Sequence, residues 1–161
     1  MAGNQKPGAT LPAAREILSS DPDPSRRSLA AGELGRTGGE EAVDALIGAL
    51  RDPVKEVRAS AAAALAAIGP PALGPLIGVL ADGNWVVRYR AAEALGEIRD
   101  GRSVTALIHA LCDGRDHVRY MAAKGLGKLG EKRARRPLTV ALADENPFVR
   151  RAAQEALAAL A

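Results

Sequence analysis

Asp82-Gly83-Asn84-Trp85-Val86-Val87-Arg88-Tyr89-Arg90-Ala91-Ala92-Glu93-Ala94-Leu95-Gly96 decides the reading of this chain, because its frame returns at a fixed period. An Asp stands six residues before an Arg five times: Asp21/Arg27, Asp52/Arg58, Asp82/Arg88, Asp113/Arg119 and Asp144/Arg150. Successive arginines are 31, 30, 31 and 31 positions apart. A period of this size marks one supersecondary unit copied along the chain, each copy burying its apolar face against its neighbours. Function is then sought on the surface the stack presents, not in a pocket within one unit.

Outward from each Arg the apolar residues keep helical spacing. Val57, Val87, Val118 and Val149 precede it by one residue; Ala pairs such as Ala61-Ala62 and Ala91-Ala92 follow, then Leu65, Leu95, Leu126 and Leu157. Ile68, Ile98, Leu129 and Leu160 close that stripe, which predicts the second helix of each unit. Before the Asp, Leu46-Ile47-x-x-Leu50, Leu76-Ile77-x-x-Leu80, Leu107-Ile108-x-x-Leu111 and Leu138-x-x-x-Leu142 give a shorter first helix. Pro75 and Pro137 are expected just before it, where no backbone donor is needed. Asp52-Pro53, Asp82-Gly83-Asn84, Asp113-Gly114 and Asp144-Glu145-Asn146-Pro147 supply stopping and capping chemistry between the two helices.

These residues and spacings resemble the short HEAT-like repeat family first associated with phycobilisome bilin lyases. Four units follow the family pattern from about Glu40 onward. Residues 11–38 look like a divergent first unit, in which Arg26 replaces the Val and Gly32 is expected to interrupt the helix. The resemblance implies an all-α, right-handed α–α superhelix of about five helix pairs, a HEAT-like solenoid forming a single domain over 11–161. Its units fall at 11–38, 40–69, 70–100, 101–130 and 131–161. It also implies that the recurring Asp and Arg, among them Asp52, Arg58, Asp82, Arg88, Asp113, Arg119, Asp144 and Arg150, form a structural ladder of hydrogen bonds along the turns.

Composition narrows the function classes. With one Phe, one Trp and two Tyr, the core must be built from Ala, Leu, Val and Ile, which suits closely packed helices. A net charge of +3 from 22 basic and 19 acidic residues is too balanced to announce a nucleic-acid binder. A single cysteine, Cys112, provides no internal disulfide framework and fits a reducing, cytoplasmic setting. Residues 1–10 lack the apolar stretch of a signal peptide and read as a disordered N-terminal tail, and no window approaches a membrane span.

Two patterns that look chemical have structural readings. Gly125-Leu126-Gly127-Lys128-Leu129-Gly130 spells a dinucleotide-binding signature, but it lies inside a second helix, without the preceding strand that signature needs. Gly127 matches Gly96 there as a close-packing position. His109 and His117 are the only histidines and neither is followed by Glu, so the His-Glu metal ligands of the HEAT-like deoxyhypusine hydroxylases have no counterpart. No catalytic residue, metal site or cofactor is expected.

Once the core positions are assigned, those at −3, −2, +1, +2, +5 and +9 from each Arg form a second stripe, on the side that HEAT-like arrays make concave. All four aromatic residues, Trp85, Tyr89, Tyr120 and Phe148, fall on it. Exposed Trp, Tyr and Arg dominate protein interfaces, because they bury much area at low entropic cost. The expected partner-binding set is Trp85, Tyr89, Arg90, Glu93, His117, Tyr120, Lys124 and Phe148. The alternating charges of Glu93 and Glu97 against Lys124 and Lys128 suit a protein partner of unknown identity. Nucleic acid is the alternative, through Lys132, Arg133, Arg135 and Arg136, and a bilin lyase-like subunit is the third reading. The apolar ending, Ala156-Leu157-Ala158-Ala159-Leu160-Ala161, raises end-to-end self-association through the last unit.

Overall fold

The computed structural model describes residues 10–160, which fall into two compact units divided between Ile68 and Gly69. Residues 1–9 of the expected tail, and Ala161, lie outside the described residues. The first unit holds α1 (Leu11–Ser20), α2 (Pro24–Thr37), α3 (Glu40–Ala49) and α4 (Lys55–Ile68). The second holds α5 (Leu73–Gly78), α6 (Trp85–Ile98), α7 (Val104–Ala110), α8 (Asp116–Leu129), α9 (Arg135–Ala141) and α10 (Pro147–Ala159). There is no strand among the described residues. Each expected repeat segment contains one helix pair, and the chain has the all-α repeat fold.

The repeated leucines form the centre of each unit. Leu34, Leu46 and Leu65 are fully buried in the first, and Leu76, Leu95, Leu107, Leu126 and Leu138 in the second. Each such side chain contributes about 1.5–3 kcal/mol relative to remaining in water. Between the leucines the second helices approach until no side chain fits. A Cβ on Gly35 would stand 2.9 Å from that of Ala64, one on Gly96 2.7 Å from Gly125 Cα, and one on Gly127 2.9 Å from Ala156 Cα. Each of these glycines lies eight residues beyond its Arg and meets the residue 29 positions later, so the Gly-rich run of α8 is a packing surface.

The Asp/Arg frame fastens successive helix pairs at their other end. Arg27 Nε and Nη2 donate to both carboxylate oxygens of Asp52 at 2.8 and 3.0 Å. Arg88 does the same to Asp113 at 2.7 and 2.8 Å, and Arg119 to Asp144 at 2.7 and 3.0 Å. The Asp six residues earlier contributes its backbone carbonyl instead, which accepts from Arg Nη1 at 2.7 Å in Asp21, Asp52 and Asp82 and at 2.9 and 2.8 Å in Asp113 and Asp144. Each of these carboxylates also accepts the amide two residues on, as Asp113 Oδ1 does from Arg115 at 2.8 Å. One Asp therefore turns the chain between its own two helices and receives the Arg of the preceding pair. The side-chain partners are 25 residues apart, not six.

Several local expectations are corrected. Gly32 does not interrupt α2, which runs unbroken through it with open space where a Cβ would be. Pro75 and Pro137 are the third residues of α5 and α9 rather than preceding them, because the turns Pro70–Ala72 and Lys132–Ala134 start those helices earlier. A proline is still cheap there, since amides of the first turn have no intrahelical acceptor. Leu142 is 40% exposed, whereas its counterpart Leu111 is buried.

Two predictions follow from this packing. Gly32→Ala should stabilise the protein by about 0.5–1 kcal/mol through helix propensity, while Gly96→Ala should cost about 1–3 kcal/mol because the methyl meets backbone; urea denaturation checks both signs. The second concerns pH. Hydrogen bonds from Arg88 and Arg119, opposed by burial, hold the Asp113 and Asp144 carboxyls below the usual carboxylate range. Burial pushes Asp52 up, but bonds from Arg27 and the Val54 amide outweigh it, so it too is lowered. A carboxyl whose folded pKa is depressed stabilises the fold above its unfolded pKa of about 4 and loses that contribution as pH falls through the folded value. The urea midpoint should hold steady down to about pH 5 and drop below about pH 4, and Arg119→Met should lower the unfolding free energy at neutral pH by about 1–3 kcal/mol and flatten the acid decline.

Candidate partner-binding site

The side chains that decorate the second unit project from the first turns of α6, α8 and α10, and side-chain caps fix the first turns of α6 and α10. Asn84 Oδ1 accepts from the Val86 amide at 3.0 Å and Asn146 Oδ1 from the Phe148 amide at 2.8 Å. Each cap satisfies an amide the helix leaves free and is worth about 1 kcal/mol. Those two turns are thereby fixed, so Trp85 and Phe148 leave the backbone in defined directions.

Asp116, His117, Tyr120, Asn146 and Phe148 line a notch of about 340 Å³ between the starts of α8 and α10. Phe148 forms one wall and is 69% exposed, although the core makes no use of it. The His117 ring forms another, with the Trp85 ring against it at 5.1 Å and tilted by 48°. Asp116 sits at the polar side: its Oδ1 accepts from the His117 amide and from His117 Nδ1, both at 2.8 Å, and its Oδ2 accepts from Asn146 Nδ2. The hydrogen bond from the His117 ring, helped by the other donors, holds the Asp116 carboxyl below the usual carboxylate range. Half-buried Tyr120 lies next to both, with Lys124 Nζ 5.5 Å from its ring centroid.

Trp85, His117, Tyr120, Lys124 and Phe148 are thus brought together on the α6–α8–α10 starts. Tyr89 is half-buried beside them, with the Arg90 guanidinium 5.3 Å from its ring centroid. Arg90 itself is a correction, since only 8% of it is exposed. Its +2 position turns into the helix packing, as it does for buried Met121 and Ala152, and its guanidinium bonds Glu93 at 2.7 Å. Arg90 Nε is buried without a hydrogen-bond partner among the described residues. Glu93 is thereby engaged, and Glu97 pairs with Lys128, so charges expected to face a partner largely neutralise one another within the unit.

The basic cluster is divided in the same way. Arg133 donates to the Gly101 carbonyl, and Arg135 Nη2 donates to the Leu160 carbonyl at the end of α10 at 2.8 Å. Lys132 and Arg136 are exposed. Among the described residues no group of three or more His, Cys, Asp or Glu is arranged to hold a metal ion, and no single helix is long and apolar enough to cross a membrane. Sequence reasoning missed Asp116 and Asn146 as site residues. Their register was the available signal: Asn146 stands where Asn84 caps α6, and Asp116 stands where Trp85 does.

The sequence profile of HEAT repeats matches residues 11–80 and 73–158. Among solved structures, the complex of CpcE and CpcF of phycocyanin lyase from Nostoc sp. PCC7120 is similar at 30% identity with a TM-score of 0.68, over 99% of this chain and 68% of that one. Human deoxyhypusine hydroxylase shares the fold at 20% identity and TM-score 0.57, over 93% of this chain and 73% of that one. A designed armadillo repeat protein in complex with the peptide (KR)4 shares it at 22% identity and TM-score 0.60, over 94% and 82%. No curated protein matches the sequence.

The exposure of Phe148 makes it a clean probe of the site. Phe148→Ala should change the urea-denaturation stability by no more than about 0.5 kcal/mol, the range of surface substitutions that break no buried contact.

Proposed function

The chain belongs to the HEAT-repeat family, and from that premise we propose that it is a non-catalytic scaffold whose second-helix face binds a protein partner. One observation carries the reading: Trp85, Tyr120 and Phe148 cluster with His117 around a notch that the core does not require. Aromatic side chains in such a position supply a large contact area with few rotamers to freeze, the property of interface anchors. The rim is polar and mixed in charge, with Asp116 and Lys124 beside the rings, which favours register and choice of partner over indiscriminate adhesion. Arg90 and Glu93 act in this reading as supports that hold Tyr89, not as contacts. Nucleic acid is less favoured, because Arg133 and Arg135 are already engaged by backbone carbonyls. The likeness to phycocyanin lyase favours a second reading, a lyase-type subunit, which visible absorbance of a bilin added with an acceptor phycocyanin chain would test.

Capture from a lysate of the source cells, with and without nuclease, separates the main alternatives. The wild type should retain a protein after nuclease treatment, and a Tyr120→Ala, Phe148→Ala double variant of equal stability should lose it. Retention that vanishes with nuclease would replace the scaffold reading with nucleic-acid binding, and identical retention by the variant would remove this face from consideration.

A further inference from the structure

The notch at α8 and α10 is an instance of a feature the repeat builds more than once. In the first unit Pro24, Ser25, Ser28, Val54 and Glu56 line a groove between the starts of α2 and α4. These residues stand at −3, −2 and +1 from Arg27 and at −4 and −2 from Arg58. Asp116, His117, Tyr120, Asn146 and Phe148 hold those same five places relative to Arg119 and Arg150. The backbone of the repeat therefore makes the recess, and the side chains at those places decide what it takes. In the first unit they are small, a proline and one acid; at α8 and α10 they are three rings, an amide and a carboxylate.

We propose that the notch between α8 and α10 receives a cationic side chain, a lysine or an arginine, from an exposed segment of a protein partner. This rests on the scaffold reading and specifies its chemistry. Among the described residues Asp116 is the only acid lining the notch, and no Lys or Arg lines it. Three of roughly four lone-pair sites on that carboxylate accept from His117 and Asn146, which leaves about one for an incoming N–H. Tyr120 and Phe148 line the notch, and an aromatic ring attracts a desolvated cation through its quadrupole. The same pairing already operates beside the notch, where Lys124 lies over Tyr120 and Arg90 over Tyr89. An anionic side chain would meet Asp116 at close range. A purely aliphatic one would fill the space but leave the carboxylate's remaining site without a donor.

The test uses the full chain and three synthetic probes, acetyl-Gly-Arg-Gly-Arg-Gly-amide and its norleucine and glutamate counterparts, titrated at low salt while amide NMR shifts and Trp85 fluorescence are followed. The arginine peptide should saturate with shifts centred on His117, Tyr120 and Phe148, and bind about three- to tenfold more tightly than the norleucine peptide. Asp116→Asn, which keeps the shape, and Phe148→Ala should each remove most of that preference; both variants are checked for native amide dispersion first. Equal binding of the norleucine peptide, tighter binding of the glutamate peptide, or shifts centred elsewhere on the protein would overturn the proposal. If the arginine peptide fails while the Tyr120→Ala, Phe148→Ala variant still loses a lysate partner, the cationic occupant is wrong and the scaffold reading stands. If both fail, the scaffold reading falls with it.

Discussion

The bidentate hydrogen bond from one repeat's arginine to the next repeat's aspartate is the constraint on which the rest of the structure depends. It is seen between Arg27 and Asp52, Arg88 and Asp113, and Arg119 and Asp144, always across 25 residues. A surface ion pair contributes little, but these side chains are mostly buried, the geometry is the fork that guanidinium and carboxylate share, and Nη1 also donates to a backbone carbonyl. The same aspartate shapes the turn of its own repeat. Turn geometry and the docking of the preceding helix pair are consequently set by one residue. Eight residues beyond the arginine, Gly35, Gly96 and Gly127 set the helix separation by having no side chain at all. An electrostatic clamp and a steric contact thus fix α2, α6 and α8 at two points along their length.

With both points fixed, the first turns of the second helices are free to vary. Their −3, −2 and +1 positions do not enter the clamp or the glycine contact, so substitutions there change the surface without changing the stack. This explains how one backbone recess can be lined by Ser25 and Ser28 in one unit and by His117 and Tyr120 in the other. It also explains why the aromatic residues gather where they do. A bulky ring placed at the glycine positions would force neighbouring helices apart, whereas at the helix start it projects into open space.

Much of this was legible in the sequence. Identical spacing of Val, Ala pairs and Leu behind each Arg gave the helix pairs, and Val57, Val87, Val118 and Val149 are all fully buried. What the sequence could not give was the partner of each side chain. An Asp and an Arg six residues apart suggest a bond within one turn, yet the loop aims the Asp carbonyl at its own arginine and the carboxylate at the previous one. Arg90 was misjudged for a related reason: a 3.6-residue period defines a face, but not how far a neighbouring helix wraps over its edge. Asp116 and Asn146 became site residues only because two helix starts, 30 residues apart in sequence, stand side by side. Arg99 shows the opposite case, since it occupies a left-handed backbone at the end of α6 where Gly130 ends α8, and the departure from glycine was plain in the sequence.

In the scaffold reading the stack holds the surface in place, and the starts of α8 and α10 carry the function. Photo-crosslinking tests it most directly, with a benzophenone amino acid placed at Phe148 and, in a second version, at Val140, which is equally exposed but lies on a first helix. In source cells the account predicts a nuclease-resistant protein adduct from position 148 and none from position 140. An adduct only from position 140, or one from position 148 that nuclease destroys, would contradict it.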